Sequence, residues 1–441
     1  MSLRPVLLLL VLAIAPAIVP AVAAGSDQPP PAPDRAASAP PDPAFHACLQ
    51  SLAAPARAAG VDGDSFRRFT AGLAPDPQVL VLLDAQPEFT TPVWDYLAAL
   101  VDAERVADGR AMLAKHADLL TQIEAAHGVD AATVVAVWGV ESDYGRITGK
   151  RQVLRSLATL SCEGRRQAFF RSELFAFLRL LQDGDLADPQ LGGSWAGAFG
   201  QTQFMPSTYR RVAVDFDGDG RRDLVGSIPD ALASTANYLR QAGWRPGRSW
   251  GREVRLPDSF NMSWAGRRNK ATVATWAGRG VRLPDGDPLT TAGLDGATRA
   301  AVIVPAGSDG PAFLVLANYD AVFSYNAAES YALAIVFLAE QLRGGPALPL
   351  RPWPSDDPGL SRVQRRQLQQ HLLDLGHDIG EVDGLIGDRT RRAIVAEQQR
   401  LGIEPADGRA SQRLLRALAD EAHAPQPEDG NGAPASQEPA R

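Results

Sequence analysis

The chain has 441 residues, of which 45% are hydrophobic and 22% charged, so it can form roughly two or three domains with a sizeable core. Its 51 acidic and 44 basic residues give a formal charge of −7, a mild and dispersed excess that gives no reason to expect nucleic acid or an anionic membrane as partner. The two cysteines are too few and too far apart for a zinc site.

The first 24 residues have the pattern of a secretory signal peptide. A basic start precedes an apolar run over residues 6–24, which ends in alanines suited to a cleavage site. Two prolines interrupt the run, which argues against the alternative, an uncleaved membrane anchor. No cysteine lies near the cleavage site to accept a lipid, so we expect a soluble mature protein without a membrane anchor. Residues 25–43, rich in Pro and Ala, are predicted to be an extended linker.

In an exported protein the pair Cys48 and Cys162 indicates one disulfide. Two separate buried thiols are the alternative. Residues from 45 onwards follow a mainly helical pattern of apolar spacings.

The most informative stretch is the helix that Asp130 is placed to cap. Residues 131–140 contain one polar side chain, so this helix is expected to be buried nearly all round. The apolar run stops at Glu141, and small or glycine residues follow. A carboxyl at that point would be partly desolvated, which would raise its pKa toward the value that a general acid needs near neutral pH. The alternative is a salt bridge from Glu141 to Arg146 or Lys150.

A glycine-rich segment follows at residues 192–209. Its glycines allow close backbone approach, and Ser194, Gln201, Gln203 and Tyr209 offer neutral hydrogen-bonding groups. This chemistry suits a carbohydrate better than a charged ligand. A packed turn is the alternative.

The spacing of residues 215–226 matches an EF-hand-type Ca²⁺ loop. Acidic residues stand at positions one, three, five and nine, and a glycine supplies the sharp turn at position six. Gly226 replaces the usual bidentate glutamate at position twelve, and Asp230 could supply the missing carboxylate. We expect a structural rather than a catalytic cation, and a solvated acidic turn is the alternative.

The remaining chain divides into a β-containing excursion, further helices and a small terminal unit. Short strand-like pieces such as 300–305 occur within residues 245–310, and a helix is predicted over residues 330–342. Tyr325, Asn326 and Tyr331 could be core polar groups, and they are also suited to stack on and hydrogen-bond a sugar.

A second linker covers residues 344–358. A compact unit of three helices covers residues 359–420, and a polar tail predicted to be disordered covers residues 421–441.

Several segments together resemble the lytic murein transglycosylases of the B type. The segments lie in the family's order, at residues 141–145, 193–207, 214–220, 230–238 and around Tyr325, Asn326 and Tyr331. The resemblance covers roughly residues 45–343, and the terminal unit resembles a three-helix peptidoglycan-binding module. The chain departs from these patterns at Ser324, where a basic residue is usual, and at Glu397, where an aromatic residue is expected.

The resemblance implies a mainly α (α+β) protein. A lysozyme-like catalytic domain at residues 44–343 would contain the small β excursion, and a three-helix peptidoglycan-binding domain would cover residues 359–420. The implied enzyme is a periplasmic lytic transglycosylase, a glycan lyase that cleaves the MurNAc-GlcNAc β-1,4 bond. Glu141 matches the family's catalytic acid, which later acts as base toward the C6 hydroxyl and yields 1,6-anhydro ends without water. The usual second catalytic carboxylate is then not needed.

The resemblance also implies the site residues and partners. No organic cofactor is expected, and the partners are peptidoglycan glycan strands, with cell-wall synthesis or division proteins as further candidates. The implied substrate contacts are Ser194, Gln203, Tyr325, Asn326 and Tyr331, and the implied Ca²⁺ ligands are Asp215, Asp217, Asp219, the carbonyl of Arg221 and Asp230.

Two other functions fit the sequence. A hydrolytic muramidase on the same fold would need a second carboxylate to hold water, and Asp143 is the only acid adjacent in sequence to Glu141. A non-catalytic peptidoglycan-binding scaffold would use the terminal module alone.

Overall fold

Helices make up most of the structure, a computed structural model that describes residues 42–85 and 91–423. The predicted signal peptide, nearly all of the first linker and most of the terminal tail lie outside these residues. Within the described chain no single helix is long and apolar enough to cross a membrane, and one pair of helices bent by 108°, Ala117–His127 with Ala131–Ser142, meets that test only when taken together. The α-helices are Pro43–Ser51, Ala53–Ala58, Gly63–Thr70, Gln78–Ala85, Val93–Leu100, Ala103–Lys115, Ala117–His127, Ala131–Ser142, Val153–Cys162, Gln167–Gln182, Pro206–Val212, Ile228–Gln241, Val273–Gly278, Ala317–Asn326, Glu329–Leu342, Arg362–Asp374, Asp388–Arg400 and Gln412–His423.

Short antiparallel strands form two small sheets, and two 3-10 turns, Met262–Trp264 and Leu289–Ala292, accompany them. The strands are β1 (Arg151–Gln152), β2 (Gly192–Gly193), β3 (Gly251–Val254), β4 (Ala271–Thr272), β5 (Arg299–Ile303) and β6 (Ala312–Val315). The first sheet pairs β1 with β2, and the second has four strands in the order β3-β6-β5-β4.

The four-stranded sheet separates two hydrophobic clusters. In β6, Phe313 and Val315 pack into the main core, whereas Ala312 and Leu314 pack into a smaller core with Trp276 on the other face. Alternate residues of a strand point to opposite faces, so a strand with apolar residues throughout is what a doubly covered sheet requires. The predicted β excursion is therefore present, and it extends to a last strand beyond residue 310.

The helix Ala131–Ser142, called the central helix below, is buried as predicted. Asp130 caps it by accepting a hydrogen bond from the backbone N–H of Thr133 (3.1 Å). The four residues Val134 to Val137 are fully buried at 0% exposure. The helix packs against four others and ends where Asp143 and Tyr144 take left-handed conformations, at φ 51° and 60°. Glu141 thus lies in the last turn of a helix that has no exposed face.

We call residues 44–343 the large domain. A second hydrophobic core lies beneath its first helices. At its edge Cys48 and Cys162, the second of which packs against this core, are joined by a disulfide that spans 114 residues of sequence. The bond ties the helix Pro43–Ser51 to the helix Val153–Cys162, which follows the Glu141 segment.

The C-terminal module, residues 359–420, has three helices around its own core of Leu368, Ile394, Leu414 and similar residues. Glu397, which stands where an aromatic residue is expected, is 4% exposed. One of its carboxylate oxygens lies 2.7 Å from His377 Nε2 and the other accepts from Arg400 Nε at 2.7 Å. These two contacts stabilise the buried carboxylate of Glu397 at the position where an aromatic side chain is expected.

Ion pairs join the C-terminal module to the large domain. Arg362 Nη1 donates to Asp143 Oδ1 at 2.7 Å, and the two side chains are 11% and 8% exposed. Arg366 pairs with Glu104 at 2.7 Å, and Arg409 donates to both oxygens of Asp95. The first of these pairs connects the module to a residue only two positions after Glu141.

We expect the substitution Arg362→Met to destabilise the protein, because it leaves the buried charge of Asp143 with weaker partners. Breaking a buried pair on one side costs on the order of 3 kcal/mol, so the denaturant midpoint should fall clearly in chemical unfolding of the full chain. The control is Arg389→Met, which removes an ion pair to Asp378 whose side chains are 54% and 85% exposed. Equal losses for the two variants would contradict a special role for Arg362.

Candidate active site

A cleft of about 630 Å³ lies between the large domain and the C-terminal module. The large domain contributes Glu141, Asn326 and Tyr331 to its walls, together with Tyr96 and Asp95. The facing wall comes from the module and contains three arginines, Arg365, Arg391 and Arg409. The sequence predicted neither the aromatic Tyr96 nor the arginine wall, because nothing in either segment indicates that residues more than two hundred positions apart share one cleft.

Glu141 is half-buried at the end of the central helix, and the hydroxyl of Tyr331 donates a hydrogen bond to its Oε1. Tyr331 is 3% exposed. Burial and the neighbouring charge of Glu141 raise the pKa of Tyr331 well above its ordinary value, so the phenol stays protonated and acts as donor. Arg146, one of the two cations considered as partners of Glu141, pairs with Asp108 at 2.7 Å. The structure thus surrounds one carboxyl with an apolar helix, a buried phenol and an open cleft.

Gln201 fastens the segment around Glu141 to the glycine-rich loop. Its side-chain oxygen accepts from Trp138 Nε1 at 3.0 Å, and its backbone carbonyl accepts from the Ser142 hydroxyl. Gly145, at φ +84°, leaves no room for a side chain against the same Gln201 amide. Gln201 was expected to offer a hydrogen bond to a ligand, and the structure uses it to position the end of the central helix.

The aromatic pair Tyr325 and Tyr331 forms a small stack beside the carboxyl. The ring centroids are 6.2 Å apart with an interplanar angle of 23°, and the Tyr325 hydroxyl donates to the carbonyl of Thr202 at 2.7 Å. Tyr325 therefore supports the ring that contacts Glu141. Asn326 is exposed and lines the cleft.

The other two predicted substrate contacts hold the loop together. Ser194 Oγ accepts from the backbone N–H of Ala198 at 3.0 Å. Gln203, at φ 51°, donates through Nε2 to the carbonyls of Thr148 (3.0 Å) and Gly200 (2.9 Å). Neither residue is among the described residues that line the cleft.

Asp143, the carboxylate considered for holding water, faces the interface with the C-terminal module. It is 7% exposed and accepts from Arg362 and, at 3.4 Å, from Arg105. It does not line the cleft within the described part of the chain.

The acidic loop brings three exposed carboxylates together. Asp215, Asp217 and Asp219 each place one carboxylate oxygen within 4.8 Å of the others. Oxygen ligands at such spacing fit a hard cation such as Ca²⁺. The backbone N–H of Arg221 donates to Asp219 Oδ1 at 2.8 Å, so Arg221 lies next to this group.

Asp230 has a different place from the one expected. It is 0% exposed, and its two oxygens accept from the backbone N–H groups of Phe216 (2.7 Å) and Asp223 (2.8 Å). Burial raises the pKa of Asp230, and these hydrogen bonds oppose the rise. Its side chain closes the loop from beneath and lies outside the group of three carboxylates.

Comparison with known proteins gives two family matches. The family described as transglycosylase SLT domain matches residues 44–340, and a peptidoglycan binding domain family matches residues 361–418. The Escherichia coli (strain K12) protein named membrane-bound lytic murein transglycosylase B is 37% identical over 177 residues, which are 38% of this chain and 48% of that protein. The chain thus spans about half the length of this relative.

Two solved structures are similar over most of the chain. The crystal structure of SltB3 from Pseudomonas aeruginosa in complex with NAG-anhNAM-pentapeptide is 47% identical, covers 86% of this chain and all 100% of its own, and has a TM-score of 0.67. The structure of the Escherichia coli lytic transglycosylase Slt35 in complex with calcium is 28% identical, covers 68% of this chain and 93% of its own, and has a TM-score of 0.58. The expected mainly helical, lysozyme-like fold is confirmed.

We expect Ca²⁺ to raise the melting temperature of the protein, because it would relieve the repulsion among three neighbouring carboxylates. The variant Asp219→Asn removes one charge and keeps an acceptor for the Arg221 N–H, so it should lose most of that rise. A matched control is Asp188→Asn, where an exposed aspartate accepts from the Gln190 N–H at 2.7 Å. Thermal unfolding with EDTA and after Ca²⁺ re-addition measures this, and no shift in the unmodified protein would exclude the site.

Proposed function

Because this chain belongs to the transglycosylase SLT domain family, we propose that the protein is a lytic transglycosylase that acts on peptidoglycan. The single observation that carries this proposal is the placement of Glu141. Its carboxyl ends a buried helix, lines an open cleft and accepts a hydrogen bond from the phenol of Tyr331. A partly desolvated carboxyl at an opening is suited to exchange one proton with a bound sugar.

In the proposed reaction Glu141 acts first as acid and then as base. The protonated carboxyl gives its proton to the glycosidic oxygen between N-acetylmuramic acid and N-acetylglucosamine, and the bond from C1 to that oxygen breaks. The substrate's own 2-acetamido oxygen stabilises C1. The Glu141 carboxylate then takes the proton from the C6 hydroxyl of the same sugar, and O6 bonds to C1. The products are a free 4-hydroxyl and a 1,6-anhydro end, and Glu141 is protonated again without water.

The contacts of the other acids favour this internal attack over hydrolysis. Apart from Glu141, the carboxylates among the described residues of the cleft are Asp95 and Asp407. Both oxygens of Asp95 accept from Arg409, and Asp407 Oδ1 accepts from Gln398 and from the backbone of Arg409. Of these two acids, Asp95 is neutralised by Arg409, so a hydrolytic muramidase would have to position its water with the Oδ2 of Asp407 alone.

The proposed binding residues divide into two groups. Asn326 and Tyr331 would contact the glycan directly, since both line the cleft, and Tyr325 would support Tyr331. Ser194 and Gln203 would act through the loop that they hold. The substrate strands would carry peptide stems, since the ligand named for the Pseudomonas protein is a disaccharide with a pentapeptide.

The remaining features of the proposal concern ions, domains and location. A structural Ca²⁺ ion would be held by Asp215, Asp217, Asp219 and the carbonyl of Arg221.

The catalytic and peptidoglycan-binding domains would cover residues 44–343 and 359–420, and removal of residues 1–24 would release the protein into the periplasm. The Escherichia coli relative is named membrane-bound, so fractionation of cells would show whether this chain is soluble there.

We expect Glu141→Gln to lower the turnover of purified peptidoglycan by about 100- to 10,000-fold, because the amide keeps the shape of the side chain and cannot transfer the proton. The control is Glu381→Gln, an exposed residue of the C-terminal module that does not line the cleft.

Mass spectrometry of the released muropeptides identifies the reaction. Products lighter by one water than the hydrolytic ones, without a reducible muramic end, are expected from the unmodified protein. Reducing ends would indicate a hydrolytic muramidase, and the absence of any release by the folded protein would leave the binding scaffold. Unchanged turnover by Glu141→Gln would overturn the assignment of Glu141.

The substitution Tyr331→Phe should reduce kcat by about tenfold to a hundredfold, since a hydrogen bond to a charged group contributes about 1.5–3 kcal/mol. The ring and its stack on Tyr325 would remain. Tyr319→Phe is the control, because it removes another buried phenol, whose hydroxyl donates to the carbonyl of Glu329 at 3.4 Å. A change confined to KM would show that Tyr331 acts on binding alone.

A further inference from the structure

The wall of the cleft that faces Glu141 contains guanidinium groups with unused hydrogen-bond donors. Arg409 is committed, because it donates to Asp95 and to Asp357. Arg391 also lines the cleft, and its guanidinium has no hydrogen-bond or ion-pair partner among the described residues. Arg365 donates through Nε to the carbonyl of Leu360 at 3.2 Å, and its two terminal amino groups have no partner within the described chain.

The aliphatic part of the Arg391 side chain is held in place by a glycine turn. Gly408, at φ +77°, packs so closely on the Arg391 side chain that an added Cβ would lie 2.5 Å from its Cγ. The backbone N–H of Gly408 donates to Gln398 Oε1 at 2.8 Å, which fixes the turn. Close packing of this kind restricts the aliphatic part of the Arg391 side chain while its guanidinium remains free. Binding a ligand therefore costs less side-chain entropy.

Arg365 is the more enclosed of the two cations. Burial lowers the pKa of its guanidinium, and the charge of Asp95 opposes that effect. Asp95 accepts two hydrogen bonds from Arg409 and none from Arg365, whose side chain donates only through Nε among the described residues. A partly desolvated guanidinium with free donors is a strong site for a carboxylate, which accepts two parallel hydrogen bonds.

We infer that Arg365 and Arg391 bind carboxylate groups of the peptide stems on the glycan strand, so that the C-terminal module selects the substrate inside the catalytic cleft. This inference rests on the proposed function, since it takes peptide-bearing peptidoglycan as the ligand. Sugars of the strand carry no fixed negative charge once their lactyl groups are joined to peptide. The stem carboxylates are therefore the anions that two arginines in this position would meet.

The test is equilibrium binding of soluble glycan oligomers to the full chain carrying Glu141→Gln, which prevents cleavage. Two oligomers of equal size are compared, one with free stem carboxylates and one with the same groups converted to carboxamides. The protein with both arginines should bind the free carboxylates about tenfold more tightly. Adding Arg391→Gln should remove most of that difference and leave binding of the carboxamide oligomer unchanged, and Arg391→Lys should retain part of it.

The matched control is Arg392→Gln, which removes an equal charge from the next residue of the same helix, exposed and outside the cleft lining. It should keep the full preference. Equal affinity for the two oligomers, or equal weakening of both by Arg391→Gln, would overturn the inference. The binding experiment involves no turnover, so its outcome does not depend on the product analysis. The proposed reaction and the proposed contact with stem carboxylates can therefore be contradicted independently.

Discussion

The complete burial of one short helix is the constraint on which the rest of the structure depends. The central helix has no polar face, and its valines from Val134 to Val137 have 0% exposure. Each such side chain contributes about 1.5–3 kcal/mol when it leaves water, so neighbouring helices must cover every side of it. At the last turn the covering opens, and Glu141 meets the cleft. The position of the carboxyl is thus a consequence of where the apolar surface ends.

The polar groups around Glu141 come from segments far apart in the chain. Tyr331 lies on a helix 190 residues later in the sequence, and its hydroxyl donates directly to the Glu141 carboxyl. Gln201 arrives on the glycine-rich loop and holds Trp138 and Ser142. A hydrogen bond in such an enclosed place is stronger than in water and costly to leave unmade. The network therefore restricts the rotamers and backbone at the end of the central helix more than packing alone would.

The C-terminal module is both a separate core and a part of the cleft wall. Its three helices enclose their own apolar residues, and its arginines form ion pairs with the large domain. Arg362 of the module donates to Asp143, an acid inside the segment 141–145 of the large domain. This contact explains why Asp143 is buried and turned away from the cleft. In the proposed enzyme the same module would place cations opposite the reacting carboxyl.

The amino-acid sequence by itself determined the local features of this protein. The capped apolar helix, the acidic loop with its spacing, the β excursion and the three terminal helices follow from periodicity and turn chemistry, which act over a few residues. The order of the motifs was enough to identify the family. Only the tertiary structure decided which polar side chains line the cleft. In the tertiary structure Ser194 and Gln203 bond within their own loop, Asp230 lies beneath the acidic loop, and Arg391 lines the same cleft as Glu141. Side-chain direction and contacts between distant segments depend on how whole elements pack, and no short-range pattern encodes that packing.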